Sequence, residues 1–74
     1  MVRLHSVPLG EQASCIGKRV QDLGLDETGA EISAIRRGKT RLDAEPGVTL
    51  EAGDVVVLRG TAEEVSRAES DLLA

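Results

Sequence analysis

The tightest constraint on this 74-residue chain is the stretch from Leu50 to Gly60, Leu-Glu-Ala-Gly-Asp-Val-Val-Val-Leu-Arg-Gly, which reads as turn, buried strand and stop. Gly53-Asp54 carries turn chemistry, because glycine accepts positive φ and an aspartate side chain takes nearby backbone N–H groups. Val55 to Leu58 are aliphatic without a polar break. That run is too short for an independent helix, and its β-branching favours a pleated strand covered on both faces, so a central place in a sheet is predicted. Thr61-Ala-Glu-Glu64 follows at once in the pattern of a capping box, with hydroxyl and carboxylate exchanging bonds with each other's backbone N–H. Ala62, Val65, Ala68 and Leu72 recur at helical spacing, with Glu63 four residues before Arg67 on the exposed side. The unit is a central strand feeding an amphipathic helix that can fold back on the sheet.

A chain of this length makes one domain and buries only about 60% of its unfolded surface. It has no Phe, Tyr or Trp. The interior must come from Val, Ile, Leu and Ala, each contributing roughly 1.5–3 kcal/mol or less when buried. One cysteine and no metal-ligand cluster leave oligomerisation as the remedy, so a homodimer is expected. Nine basic against 13 acidic residues give a net charge of −4, which opposes attraction to nucleic acid or an anionic membrane. Without aromatics there are no stacking platforms for single strands either, so no nucleic-acid partner is expected. No stretch approaches the ~18 apolar residues of a membrane span, and nothing resembles a signal peptide. The domain is expected to be soluble and cytosolic, without direct membrane insertion.

Along the chain, Val2, Leu4 and Ser6 alternate with Arg3, His5 and Val7 up to Pro8, which reads as a half-buried edge strand or one donated to a partner. Strand residues starting right after Met1 suggest the C-terminal module of a longer protein. Ser14 is placed to cap a short helix with Ile16, Val20 and Leu23 on one face and Gly24 as its left-handed stop. From Ala30 to Arg37, strict alternation puts Ala30, Ile32 and Ala34 on one face and Glu31, Ser33 and Ile35 on the other. Isoleucines facing both ways need cover on both sides, one side being a candidate for a second subunit. Arg36-Arg37-Gly38-Lys39 is a hairpin signal before the short strand Thr40-Arg41-Leu42, and Pro46-Gly47 is a turn. The predicted fold is an α+β sandwich of order β-α-β-β-β-α, its mostly antiparallel sheet carrying two packed helices.

Four segments together resemble the TrkA-C domain, the C-terminal lobe of regulator-of-potassium-conductance (RCK) modules: Ile16-Gly17-Lys18, Leu23-Gly24-Leu25, Ile35-Arg36-Arg37-Gly38, and Leu50-x-x-Gly53-Asp54 before Val-Val-Leu-x-Gly60. Val7-Pro8-Leu9 and Gly53-Asp54-Val-Val-Val-Leu are most similar to copies appended to Kef-type cation/proton antiporters. The resemblance implies dimerisation and a regulatory role in a potassium channel or cation/proton antiporter, on the cytosolic face of the inner membrane through the parent transporter. In that family the lobe preceding this one binds nucleotides, and some C-terminal lobes bind a small ligand, cyclic di-AMP included, in the dimer cleft. No Gly-x-Gly-x-x-Gly follows a strand here, so NAD is not carried over and no cofactor is expected. By resemblance Ile32, Ile35 and Arg36 are the candidate ligand-binding residues of a cleft for a small anionic or nucleotide ligand.

Other residues admit a sharper reading beside a plain one. Gly38-Lys39-Thr40 mimics the end of a P-loop, but Ser33 stands where the first glycine is required and no helix follows, so a hairpin turn is favoured. His5 is a pH sensor or simply exposed, Cys15 a low-pKa thiol at a helix start or a passive small residue, and Asp54 a catalytic acid or a turn ligand. In each pair the plain reading explains the residue. Glu63, Glu64, Glu69 and Asp71 read as a solvated helix face, with divalent-cation binding the sharper version. No nucleophile is paired with a base and no metal ligands sit at usable spacing, so an enzyme is not expected. A regulatory ligand-sensing domain leads, and a purely structural dimerisation module is the alternative.

Overall fold

A computed structural model describes all 74 residues. Its elements are β1 (Arg3–Pro8), a 3-10 turn at Val20–Asp22, a second at Leu25–Thr28, β2 (Glu31–Arg37), β3 (Thr40–Leu42), β4 (Val55–Gly60) and α1 (Ala62–Leu73). The four strands form one antiparallel sheet in the order β1-β4-β2-β3. The aliphatic run of β4 is central, as its composition requires, and β1 is an edge strand that ends at Pro8. Helix α1 packs on β4, β1 and the second 3-10 turn, covering one face of the sheet.

The capping box forms as the sequence predicts. Glu64 N–H donates to Thr61 Oγ1 at 3.2 Å, and Thr61 N–H donates to Glu64 Oε1 at 2.8 Å. Val65, Ala68 and Leu72 are buried, whereas Ala62 is exposed, and Glu63 does not pair with Arg67. The helix start comes so close to the preceding turn that a Cβ on Gly29, which also has φ 84°, would run into the Glu64 carboxylate.

The helix expected between Ser14 and Gly24 is absent; a 3-10 turn at Val20–Asp22 stands in its place, and the second 3-10 turn follows at Leu25–Thr28. Helical backbone would donate each N–H four residues back; here Gly17, Val20 and Gln21 donate to the carbonyls of Leu50, Val48 and Pro46 at 2.8, 2.9 and 3.0 Å, and Leu50 N–H returns a bond to Lys18. Arg19 is accordingly extended (φ −81°, ψ 152°) and bridges to Thr49. Ser14 does not cap a helix start. Its N–H donates to Ala74 O at 3.1 Å and its hydroxyl to Asp71 O at 3.4 Å, so it occupies orphan carbonyls at the end of α1. Ile16, Val20 and Leu23 still pack against the core, on a different backbone.

The second correction concerns β2. Ile32 lies opposite Leu58 and Ala34 opposite Val57, so Ser33 is an extra residue, a β-bulge. One extra residue flips every following side chain to the other face. Ile32 and Ile35 therefore both lie on the inner face, opposite Leu58 and Val56, and Ala34 turns outward opposite Val57. Ile35 is fully buried in the core cluster with Val56 and Leu58, and Ile32 is half-buried at its margin. The expectation of isoleucines facing opposite ways fails, and with it the argument that a second subunit must cover one of them.

Candidate functional site

Two concavities flank β2, one on each face. The first, about 330 Å³, lies where the 3-10 turns and the Ala44–Pro46 segment meet the start of β2. Because residues 17–21 are drawn into backbone pairing with 46–50, Val20 and Pro46 are held beside Leu25 and Ile32, and these four form its apolar wall. Gln21, Asp26 and Glu31 line the polar side, and no lysine or arginine does. Such a site offers hydrogen-bond acceptors and an apolar wall to a small ligand but no counter-charge for an anion. The second concavity, about 630 Å³, opens on the outer sheet face and is lined by Arg36, Lys39 and Arg41 over Val55 and Val57.

The three predicted ligand residues are thus not brought together. Ile32 lines the first concavity, Arg36 the second, and Ile35 is sealed in the core between them with no exposed surface. The bulge at Ser33 separates them.

Arg37, next to Arg36, has a wholly different task. Its Nε and Nη2 donate to the two Asp54 carboxylate oxygens at 2.9 and 2.8 Å, Nη2 also donates to Thr49 O at 2.9 Å, and Nη1 lies 3.0 Å from Glu51 Oε2. Asp54, 1% exposed, also accepts Glu51 N–H at 2.9 Å. The hydrogen bond from Arg37 lowers the Asp54 pKa against the opposing effect of burial, and the same contact raises that of Arg37. Asp54 is a structural turn ligand, and it locks the β4 entry to the end of β2. Its backbone bond comes from three residues back, and the arginine partner, 17 residues away, carried no local signal.

His5 is not simply exposed: its Nε2 lies 2.9 Å from Glu69 Oε2, tying β1 to α1. Cys15 is buried, and desolvation raises its pKa, the opposite of a reactive thiol. Gly38-Lys39 forms the two-residue turn of the β2–β3 hairpin, with Gly38 at φ 61° as the first position of a type II′ turn requires. No group of three or more His, Cys, Asp or Glu side chains converges, the acidic face of α1 included.

Residues 4–73 match the model of the TrkA-C domain family. Among solved structures, the chain is similar to the RCK_C domain dimer of S. agalactiae BusR in complex with c-di-AMP, at 22% identity and TM-score 0.81 over 93% of both chains. It is similar to the RCK C domain of the potassium transport protein KtrA in complex with c-di-AMP, at 26% identity and TM-score 0.83, covering 95% of this chain and 82% of that one. A further structure, S. agalactiae BusR in complex with its busAB promoter DNA, matches at 22% identity and TM-score 0.81, with this chain spanning 35% of its length. No curated protein sequence matches.

Proposed function

This chain belongs to the TrkA-C domain family, and we propose that it is a cytosolic regulatory and dimerisation domain, the C-terminal part of a longer potassium channel or cation/proton antiporter. The observation that carries this reading is the family match over residues 4–73 together with a fold whose sheet is covered on one face only. Two relatives, BusR and KtrA, are described with c-di-AMP, and the BusR domain is described as a dimer. Here the apolar surface available to a second copy is at β1, an edge strand, where Val2 and Leu4 are 56% and 65% exposed.

Regulation in such a dimer requires a ligand that favours one subunit arrangement over another. The concavity beside Ile32 is the proposed place for it, formed by the segments that the 17–21 and 46–50 pairing joins. Its Asp26 and Glu31 carboxylates repel an anion, which supports a neutral or cationic effector there in preference to a cyclic dinucleotide. The charge argument against nucleic acid applies to these 74 residues; a longer protein containing them is a separate matter, as the BusR complex with DNA illustrates.

Sedimentation at tens of micromolar is the test of the assembly: a dimer is expected, and a strict monomer overturns the dimerisation reading, while leaving the concavity beside Ile32, which one chain forms alone. Amide shifts in the 20–32 segment on titration with candidate effectors, set against c-di-AMP, test the ligand. Tight c-di-AMP binding there overturns the assignment by charge.

A further inference from the structure

Where β2 begins, the sheet lacks a neighbour on one side. β3 pairs only with Ile35, Arg36 and Arg37, so no strand lies beside the first residues of β2 there. The concavity near Ile32 occupies that gap, bounded by Val20 and Leu25 from the 3-10 turns and by Ala44 and Pro46 from the segment after β3. Backbone pairing holds its wall in place: Val20 and Gln21 donate to the carbonyls of Val48 and Pro46 at 2.9 and 3.0 Å, and no side chain fills the space between. Its two carboxylates, Asp26 and Glu31, come from separate elements and are both exposed. Asp26 makes no ion pair, and Glu31 reaches only Arg59, at 3.6 Å with both side chains more than half exposed. A contact of that kind contributes little. Asp22, in the neighbouring turn, is by contrast held by Arg19 at 2.9 Å.

We infer that this concavity takes a compact organic cation, a protonated amine carried on an apolar body; the inference rests on the reading of the concavity as the effector site and names the ligand class. An ammonium group has three donors and no acceptor, which matches a rim offering two carboxylates and the Gln21 amide oxygen. Val20, Leu25, Ile32 and Pro46 supply the wall that its hydrocarbon part covers. The volume, about 330 Å³, lies at the small end of ligand sites and holds roughly ten water-sized atoms. A divalent metal ion is disfavoured, because no three His, Cys, Asp or Glu side chains converge and an apolar wall gives it no oxygen. An amino-acid zwitterion is disfavoured as well, since no lysine or arginine lines the site to receive its carboxylate.

The test is amide-shift titration of the 74-residue chain with phenethylammonium, its neutral isostere phenethyl alcohol, phenylacetate and magnesium chloride, all at matched ionic strength. Saturable shifts confined to residues 20–32 and 44–46 are expected with the ammonium, about tenfold weaker binding with the alcohol, and no saturable shift with phenylacetate or magnesium. The double variant D26N/E31Q exchanges two exposed carboxylates for amides, so it should remain folded, and it should bring the ammonium down to the affinity of the alcohol. A44L, which narrows the apolar wall, should weaken the ammonium and the alcohol alike. Equal affinity for ammonium and alcohol, or unchanged ammonium affinity in the folded double variant, overturns the inference and leaves the concavity as a site for a neutral ligand. The same shifts with magnesium overturn it in favour of a metal ion. No saturable shift with any probe overturns it too, and a dimer in sedimentation then leaves the dimerisation reading standing.

Discussion

On the inner face of the sheet, Val7, Ile35, Val56 and Leu58 have no measurable exposure, and α1 closes over them with Val65, Ala68 and Leu72. On the outer face the same strands present Leu4, Val55 and Val57 beside Arg36 and Arg41, and no element packs over them. Alternation along each strand generates both faces from one set of residues, but only the inner one has a partner within the chain. Stability is therefore concentrated inside. The outer face, half-buried and charged, carries little of it.

Substitutions that separate the faces put this contrast at risk, and the largest effect is expected inside. Leu58→Ala should cost about 3 kcal/mol, a large part of the roughly 4–11 kcal/mol that a domain of this size holds, whereas Val57→Ala, its outward neighbour, should cost about 1 kcal/mol or less. Urea denaturation of both variants checks this; equal losses would mean that something covers the outer face after all.

Next in size is the lock between β2 and the β4 entry. Arg37→Ala leaves the buried Asp54 carboxylate without its cation, and should cost about 3 kcal/mol, at the low end of the buried-pair range because the guanidinium is partly exposed. Arg36→Ala, one residue away on the outer face, should be near neutral. The same lock sets an acid limb. Asp54 is held below its ordinary 3.8 and Glu64 below its ordinary 4.5, chiefly by the Arg37 and Thr61 hydrogen bonds. A depressed folded pKa contributes stability above the unfolded value and loses it as pH falls through the folded one. Denaturation midpoints should thus hold above those ordinary values and decline below them, and Arg37→Ala should shorten the decline.

Thr61→Ala removes one half of the capping box and should cost about 1 kcal/mol, visible as a lower thermal midpoint with an unchanged fold. The smallest effect is expected outside: Arg41→Gln should stabilise by about 0.2–1 kcal/mol by removing the repulsion across from Arg36. A loss of stability there would show that Arg41 has a structural partner.

Legibility in the sequence followed the range of the interactions. The β4 strand and α1 were readable because a continuous aliphatic run and a capping box each act within a few residues. The hairpin at Gly38-Lys39 was readable for the same reason. The segment from Ser14 to Gly24 had the right inward residues, Ile16, Val20 and Leu23, but three of its backbone donors, those of Gly17, Val20 and Gln21, go to carbonyls about thirty residues away, and no local pattern foretells that. Ile32, Ile35 and Arg36 were the candidates that the resemblance implied for a single cleft; Ile32 lines one concavity, Arg36 another, and Ile35 is buried between them.

By itself the sequence determined the β4–α1 unit and the antiparallel α+β class, since these rest on propensity and periodicity along the chain, while the family entered through a resemblance that the match over residues 4–73 bears out. Only the tertiary structure decided which face each side chain of β2 joins, which arginine is structural and where the two concavities lie. The physical reason is the pairing register: a single extra residue at Ser33 reverses the sidedness of all that follows, and whether a bulge forms depends on how β4 and β2 satisfy each other's backbone and bury Ile35, which is settled only when both strands are in place.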